Sequence, residues 1–205
     1  MQRLPHRLPS RRLALTRTDI LAVMTAADKY IALLRGINVG KAKRIAMAEL
    51  RDLLTELGYD NVQTLLVSGN AVFTATRAKP EGVERRIKNA IAERFGFDVS
   101  VIVRSGKELA KVVANNPFPE HVSDGSKLHV SFLSDKPTPA ALRGIDLAAF
   151  APEEVVVAGR ELYLWLARGV AESNMLKVLS DKRLGVAATA RNWNTVAKLL
   201  AMIDT

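Results

Sequence analysis

Four cationic side chains crowd a short segment that follows the first apolar run of the chain. They are Arg35, Lys41, Lys43 and Arg44, and no acidic residue follows them until Glu49. Asn38 lies among them. A polar loop after a strand leaves main-chain N–H groups free, so this basic loop (residues 35–45) is typical of a site for a phosphate or a nucleic-acid backbone. The alternative is a structural turn in which Arg35 folds back and Asn38 caps the chain.

A second group of polar side chains is predicted around a hairpin turn. Ser68 and Asn70 flank Gly69, and Arg104 ends a later strand. We expect Ser68, Asn70 and Arg104 to share one end of a sheet. We expect the basic loop at the opposite end, about 17–20 Å away for strands of ordinary length.

The triplet Arg191-Asn192-Trp193 is predicted to be structural. Asn192 is placed to cap the N-terminus of the last helix, with Trp193 on its apolar face. Arg191 can then form hydrogen bonds across the junction between strand and helix.

The order of apolar periods and turn signals predicts an α+β fold made of two similar halves. Each half reads β-α-β-β-α-β with a further helix, which is a ferredoxin-like arrangement. The first half has strands at 30–35, 63–67, 71–75 and 97–103, helices at 47–57 and 80–95, and a helix capped by Ser105. The second has strands at 128–133, 154–157, 161–166 and 186–190, helices at 139–147 and 174–183, and a helix capped by Asn192.

Matching residues in the two halves predict an internal duplication. The segment from Val67 to Phe73 resembles the segment from Val157 to Tyr163, and Arg104-Ser105 occupies the same step as Arg191-Asn192. The predicted divisions are a disordered extension at 1–23, a first half at 24–114, a linker at 115–127 and a second half at 128–205. The proline, glycine and serine residues of 115–127 favour a linker.

Three segments together resemble the bacterial family called domain of unknown function 1697. They are Tyr30 to Lys41, Ser68 to Phe73 and Thr189 to Thr195. The resemblance runs from about residue 29 to the C-terminus. The family start that it implies lies a few residues before Tyr30, so Met24 is expected as the natural start.

Composition narrows the function classes. The net charge is +9, but residues 1–24 carry +4 of it, so the body is only moderately basic. The chain has no cysteine, which excludes thiol catalysis, and its three histidines lie far apart, so we expect no metal and no cofactor. The sequence contains no run of 18 apolar residues, so no membrane span is predicted. A cytoplasmic location is expected. The oligomeric state stays open, as a monomer or a weak dimer.

Three functional hypotheses remain. The favoured one is a module that binds a nucleotide or nucleic acid through Arg35, Asn38, Lys41, Lys43 and Arg44, with Ser68, Asn70 and Arg104 as a second patch. Another is an enzyme on a small anionic metabolite, with Arg35 orienting the substrate and Ser68 and Asn70 hydrogen-bonding it. The third is an interaction module with no small ligand. No catalytic constellation is evident, and the basic loop lacks the spacing and the hydroxyl of a P-loop.

Overall fold

The computed structural model describes residues 27–40, 42–76 and 78–205. Residues 1–23, predicted to be disordered, lie outside the described residues, as does Lys41 of the basic loop.

The first half is a four-stranded antiparallel sheet with helices. Its elements are β1 (Ala27–Leu34), α1 (Met47–Glu56), β2 (Asp60–Leu65), β3 (Asn70–Thr76), α2 (Pro80–Phe95), β4 (Val101–Ser105) and α3 (Gly106–Ala114). The strand order is β2-β3-β1-β4. Helix α2 has its predicted limits, because Pro80 opens it and Gly96, at φ +74°, closes it. The predicted capping box of α3 is also present, since Ser105 and Glu108 exchange side-chain and main-chain hydrogen bonds.

The second half repeats the strand order. Its elements are β5 (Leu128–Leu133), α4 (Pro139–Leu142), β6 (Glu154–Ala158), β7 (Glu161–Trp165), α5 (Met175–Val178), α6 (Asp181–Leu184), β8 (Ala188–Asn192) and α7 (Trp193–Asp204), with short 3-10 helices at Pro119–Asp124 and Leu147–Phe150. The strands lie in the order β6-β7-β5-β8. The α+β prediction is therefore confirmed.

Two predicted helices of the second half are wrong in extent. The helix expected at 139–147 ends after one turn, because Arg143 is extended and Gly144 takes φ +73°. The helix expected at 174–183 is two single turns, since Ser180 is extended and restarts the chain as an N-cap. In α7 the buried stripe runs through Val196, Leu199 and Ile203, and Trp193 at its start is buried as predicted.

The segment predicted as a linker, residues 115–127, carries the 3-10 helix Pro119–Asp124, and Phe118 just before it is buried. The domain limits at 24–114, 115–127 and 128–205 stay predictions.

Three apolar cores hold the molecule together. One lies between the first sheet and helices α1 and α2, and another covers the outer face of the second sheet. The third joins the inner faces of both sheets to α3 and α7, with Ile31 and Val72 from one sheet and Val130 and Phe132 from the other. Tyr163 donates a buried hydrogen bond of 2.9 Å to the carbonyl of Val112. Packing and this hydrogen bond between the two halves therefore fix the position of one sheet relative to the other.

Among the described residues, no helix has both the length and the apolar character needed to cross a membrane.

Candidate functional site

The basic loop and the hairpin turn at 66–69 lie side by side, at one end of the first sheet. Strand β1 runs antiparallel to β3, so Leu33 pairs with Asn70, and the Leu34 N–H donates to the Gly69 carbonyl at 2.8 Å. The expectation that the loop lies at the opposite end from Ser68 and Asn70 is therefore wrong. The end of one antiparallel strand must meet the start of its neighbour.

Arg104 is not part of this end. It lies on β4 opposite Ile31, while the start of β4, Val101, pairs with Leu34 beside the basic loop. The predicted patch of Ser68, Asn70 and Arg104 is therefore divided. Ser68 and Asn70 join the basic loop, and Arg104 extends toward the second half.

Asn38 fixes the basic loop to the hairpin turn. Its Nδ2 donates to the carbonyls of Ile45 and Val67, both at 2.8 Å, and its Oδ1 accepts from the Ile45 N–H at 3.0 Å. Asn38 holds φ +57°, which asparagine tolerates better than most residues. Every polar atom of its side chain forms a hydrogen bond within the protein, so Asn38 holds the loop and the turn together.

Three cations from two segments of the chain border a cleft of about 310 Å³ beside the loop. Arg35 and Lys43 come from the basic loop and Lys88 from α2, and the lining also includes Asp98 and Ser100. Arg35 forms an ion pair with Asp181 of α6 and remains 45% exposed. The Lys43 ammonium donates to the Asp98 carbonyl at 2.8 Å, which holds it over the cleft.

Arg44, the next residue, faces the other side of the loop. It lines a separate groove of about 430 Å³ together with Val67 of the hairpin turn. The loop is thus a ridge with Lys43 on one flank and Arg44 on the other.

Ser68 and Asn70 differ in accessibility. Asn70 is fully buried, and its Nδ2 donates to the Leu65 carbonyl at 2.7 Å and to Ser68 Oγ at 3.2 Å. Ser68 is exposed, so its hydroxyl can meet a ligand. Asn70 instead shapes the turn.

Arg191 reaches the same end from the second half and is buried there. Its guanidinium donates to Asn70 Oδ1 and to the Leu34 carbonyl, with longer bonds to the carbonyls of Ser68 and Gly69. Its remaining bonds go to Thr189 and Ala190 on its own strand. These acceptors are all neutral, and no carboxylate of the described residues forms an ion pair with Arg191. Burial lowers the pKa of this guanidinium to about 10.

Arg104 takes the corresponding place at the end of the second sheet. It is 1% exposed and donates to the carbonyls of Leu133 and Arg160 at 2.7 and 3.2 Å. Here a carboxylate is present, because Arg104 Nε lies 3.0 Å from Glu161 Oε1. Burial acts to lower the pKa of Arg104, and the charge of Glu161 opposes that shift.

The register identifies which residues correspond. Arg104 pairs with Ile31 and Arg191 with Val130, while two residues further along these strands Asn70 pairs with Leu33 and Glu161 with Phe132. The sequence match placed Asn70 against Arg160 instead. It is wrong by one residue because the first turn (66–69) is longer than the second (159–160).

The sequence interpretation missed Lys88 and the role of Arg191. Nothing in the spacing of Lys88 links it to the loop. Arg191 had a signal, because the repeated Arg-Ser and Arg-Asn steps predict two arginines in equivalent places. Within the described part of the chain, no group of three acidic or histidine side chains is arranged to hold a metal.

The chain is similar to a solved structure and matches a family model. It resembles a solved structure of a conserved bacterial protein from Streptococcus pneumoniae, with a TM-score of 0.66 and 25% sequence identity over 87% of this chain and 99% of that one. No curated protein matches it. The family model for proteins of unknown function called DUF1697 matches residues 27–163, so the chain belongs to the DUF1697 family.

Proposed function

We propose that the protein binds a phosphate-bearing ligand at the end of the first sheet, where the basic loop meets the hairpin turn. The observation that carries this proposal is Arg191, a buried cation whose hydrogen-bond acceptors are all neutral. A buried charge without a counter-charge costs free energy, and an anion bound nearby offsets that cost.

The 310 Å³ cleft is the place for the phosphate. Lys43 and Lys88 border it, and neither forms an ion pair with another described residue. Arg35 contributes its exposed edge, although Asp181 already occupies part of its guanidinium. A phosphate accepts charge-assisted hydrogen bonds from all three cations.

The enzymatic alternative has less support. It assigned Asn70 to substrate, but both polar atoms of Asn70 are engaged by Leu65, Ser68 and Arg191. Of the two residues proposed to form hydrogen bonds with the substrate, Ser68 is exposed and Asn70 is buried.

We further propose that the two halves are ferredoxin-like and arose by duplication. Equal strand orders and the equivalent arginines on β4 and β8 support this. The cytoplasmic location and the absence of a cofactor stay predictions.

Calorimetric titration with inorganic phosphate and pyrophosphate tests the binding proposal. Replacing both cleft lysines, Lys43→Ala with Lys88→Ala, should weaken pyrophosphate binding by about a hundredfold or more, since each charged hydrogen bond contributes about 1.5–3 kcal/mol. The matched control, Lys111→Ala with Lys198→Ala, removes two exposed lysines from α3 and α7 and should bind as the wild type does. Equal affinity in both double variants would exclude this cleft.

A further inference from the structure

Exposed aliphatic side chains cluster beside the basic loop. Val39 is 73% exposed, Leu66 56% and Val67 68%. Val39 belongs to the loop and the other two to the hairpin turn, and the bond from Asn38 to the Val67 carbonyl joins these segments. Apolar surface gathered on two adjoining loops is typical of a place where something binds.

A groove next to this cluster combines apolar walls with one cation. Ile45, Ala46, Met47 and Val67 line it, and Arg44 contributes the charge. The lining also contains an acidic residue, Glu49, whose carboxylate accepts from the Ala46 N–H at 3.2 Å. The volumes of the groove and of the cleft, about 430 and 310 Å³, lie within the range of small-ligand sites.

The hairpin turn is held in a costly conformation. Leu66 has φ +58°, in the left-handed region that disfavours a branched side chain. Arg191 binds the carbonyls of Ser68 and Gly69, and a Cβ at Gly69 would lie 2.8 Å from Leu34 Cβ, so the turn packs closely on β1. The exposed Leu66 and Val67 are therefore presented by a rigid turn, and strain of this kind concentrates at functional sites.

We propose that the ligand is a nucleotide unit, with its base against Val67 and the apolar groove and its phosphate in the cleft of Lys43 and Lys88. This inference rests on the proposed function and adds the chemical class of the ligand. Inorganic phosphate or a sugar phosphate has no apolar face to cover the exposed aliphatic cluster. A nucleotide has a flat base with apolar faces, joined to its phosphate through the ribose. The adjacent residues Lys43 and Arg44 place a cation on each side of the ridge that the nucleotide would cross.

Titrations at constant ionic strength with inorganic phosphate, ribose 5-phosphate and adenosine 5′-monophosphate test this inference. The mononucleotide should bind more tightly than the sugar phosphate. Val39→Ser with Val67→Ser should weaken mononucleotide binding roughly fivefold by removing apolar contact, and should leave phosphate binding unchanged. Val122→Ser with Val170→Ser, at two other exposed valines, is the matched control and should change neither affinity.

A short single-stranded oligonucleotide distinguishes a free nucleotide from a nucleic-acid strand. A strand that makes several phosphate contacts shows a steep loss of affinity with salt, by a slope of about −0.7 per contact. The mononucleotide should show the shallow slope of one contact.

Equal affinity for adenosine 5′-monophosphate and ribose 5-phosphate would overturn the nucleotide assignment, as would a peptide of alternating glutamate and leucine that binds where the mononucleotide does not. If phosphate still binds through Lys43 and Lys88 in that case, the proposed function stands and only the ligand class is wrong. If phosphate does not bind, both are wrong.

Discussion

The two sheet ends differ in how a buried arginine is neutralised. At the end of the second sheet, Arg104 meets the Glu161 carboxylate, and nearby Arg160 forms an ion pair with Glu108 at 2.6 Å. At the end of the first sheet, Arg191 meets Asn70 at the position equivalent to Glu161. The same backbone arrangement thus holds a neutral ion pair at the end of the second sheet and an arginine without a counter-charge at the end of the first. We infer that the second end serves stability and the first end serves an anionic ligand.

Removing Arg104 should have the largest effect. Arg104→Met leaves the Glu161 carboxylate, 16% exposed, without its partner, along with the carbonyls of Val103, Leu133 and Arg160. Breaking a buried ion pair on one side costs about 3–5 kcal/mol. Urea unfolding at neutral pH measures it, and a loss below about 1 kcal/mol would contradict the assigned structural role.

Removing Arg191 should cost less. Arg191→Met removes a donor from neutral acceptors only, among them Leu34, Gly69 and Asn70, and it also removes an uncompensated charge. We expect a loss of about 1–3 kcal/mol, measured in the same unfolding experiment. A loss larger than that of Arg104→Met would show that the first end is as tightly neutralised as the second.

The smallest expected effect depends on pH and belongs to the second end. Burial acts to raise the pKa of Glu108, but hydrogen bonds from Ser105 and the charges of Arg160 and Arg104 outweigh it, so the pKa lies below its usual 4.5. A carboxylate with a lowered pKa stabilises the fold above the unfolded value, and that contribution is lost as the pH falls through the folded value.

Glu108→Gln should therefore cost about 1 kcal/mol at pH 7, a modest figure because the pair is partly exposed. The difference from the wild type should shrink as the pH falls below 4.5, as followed by thermal unfolding across that range. An equal difference at pH 7 and pH 3 would exclude the charge of Glu108 as the cause.

Local sequence signals were enough to predict those helices whose ends carry proline, glycine or a capping side chain. Pro80 with Gly96 bounded α2, and Ser105 and Asn192 marked two caps. The short helices of the second half were overestimated because apolar spacing continues through Gly144 and Ser180, where the backbone leaves the helical region.

The site was harder to predict because it depends on pairing between distant residues. The basic side chains of the loop were evident from the sequence. Their position beside Ser68, however, follows from the antiparallel register of β1 and β3. Arg191 lies 121 positions from Asn70, and only the packing of the two sheets brings them together. No local pattern indicates whether a buried arginine meets an amide or a carboxylate.

The central claim is that a bound anion supplies the negative counter-charge that Arg191 lacks within the protein. A single substitution tests this claim most directly. Asn70→Asp places a carboxylate where Asn70 Oδ1 now accepts from Arg191, which reproduces the arrangement of Glu161 with Arg104. Calorimetric titration with pyrophosphate should show affinity reduced by about tenfold or more, since the buried charge is then neutralised internally. Asn70→Ala, which loses the same donors to Leu65 and Ser68 without adding charge, should keep most of the wild-type affinity. Wild-type affinity in Asn70→Asp, or an equal loss in both variants, would contradict the account.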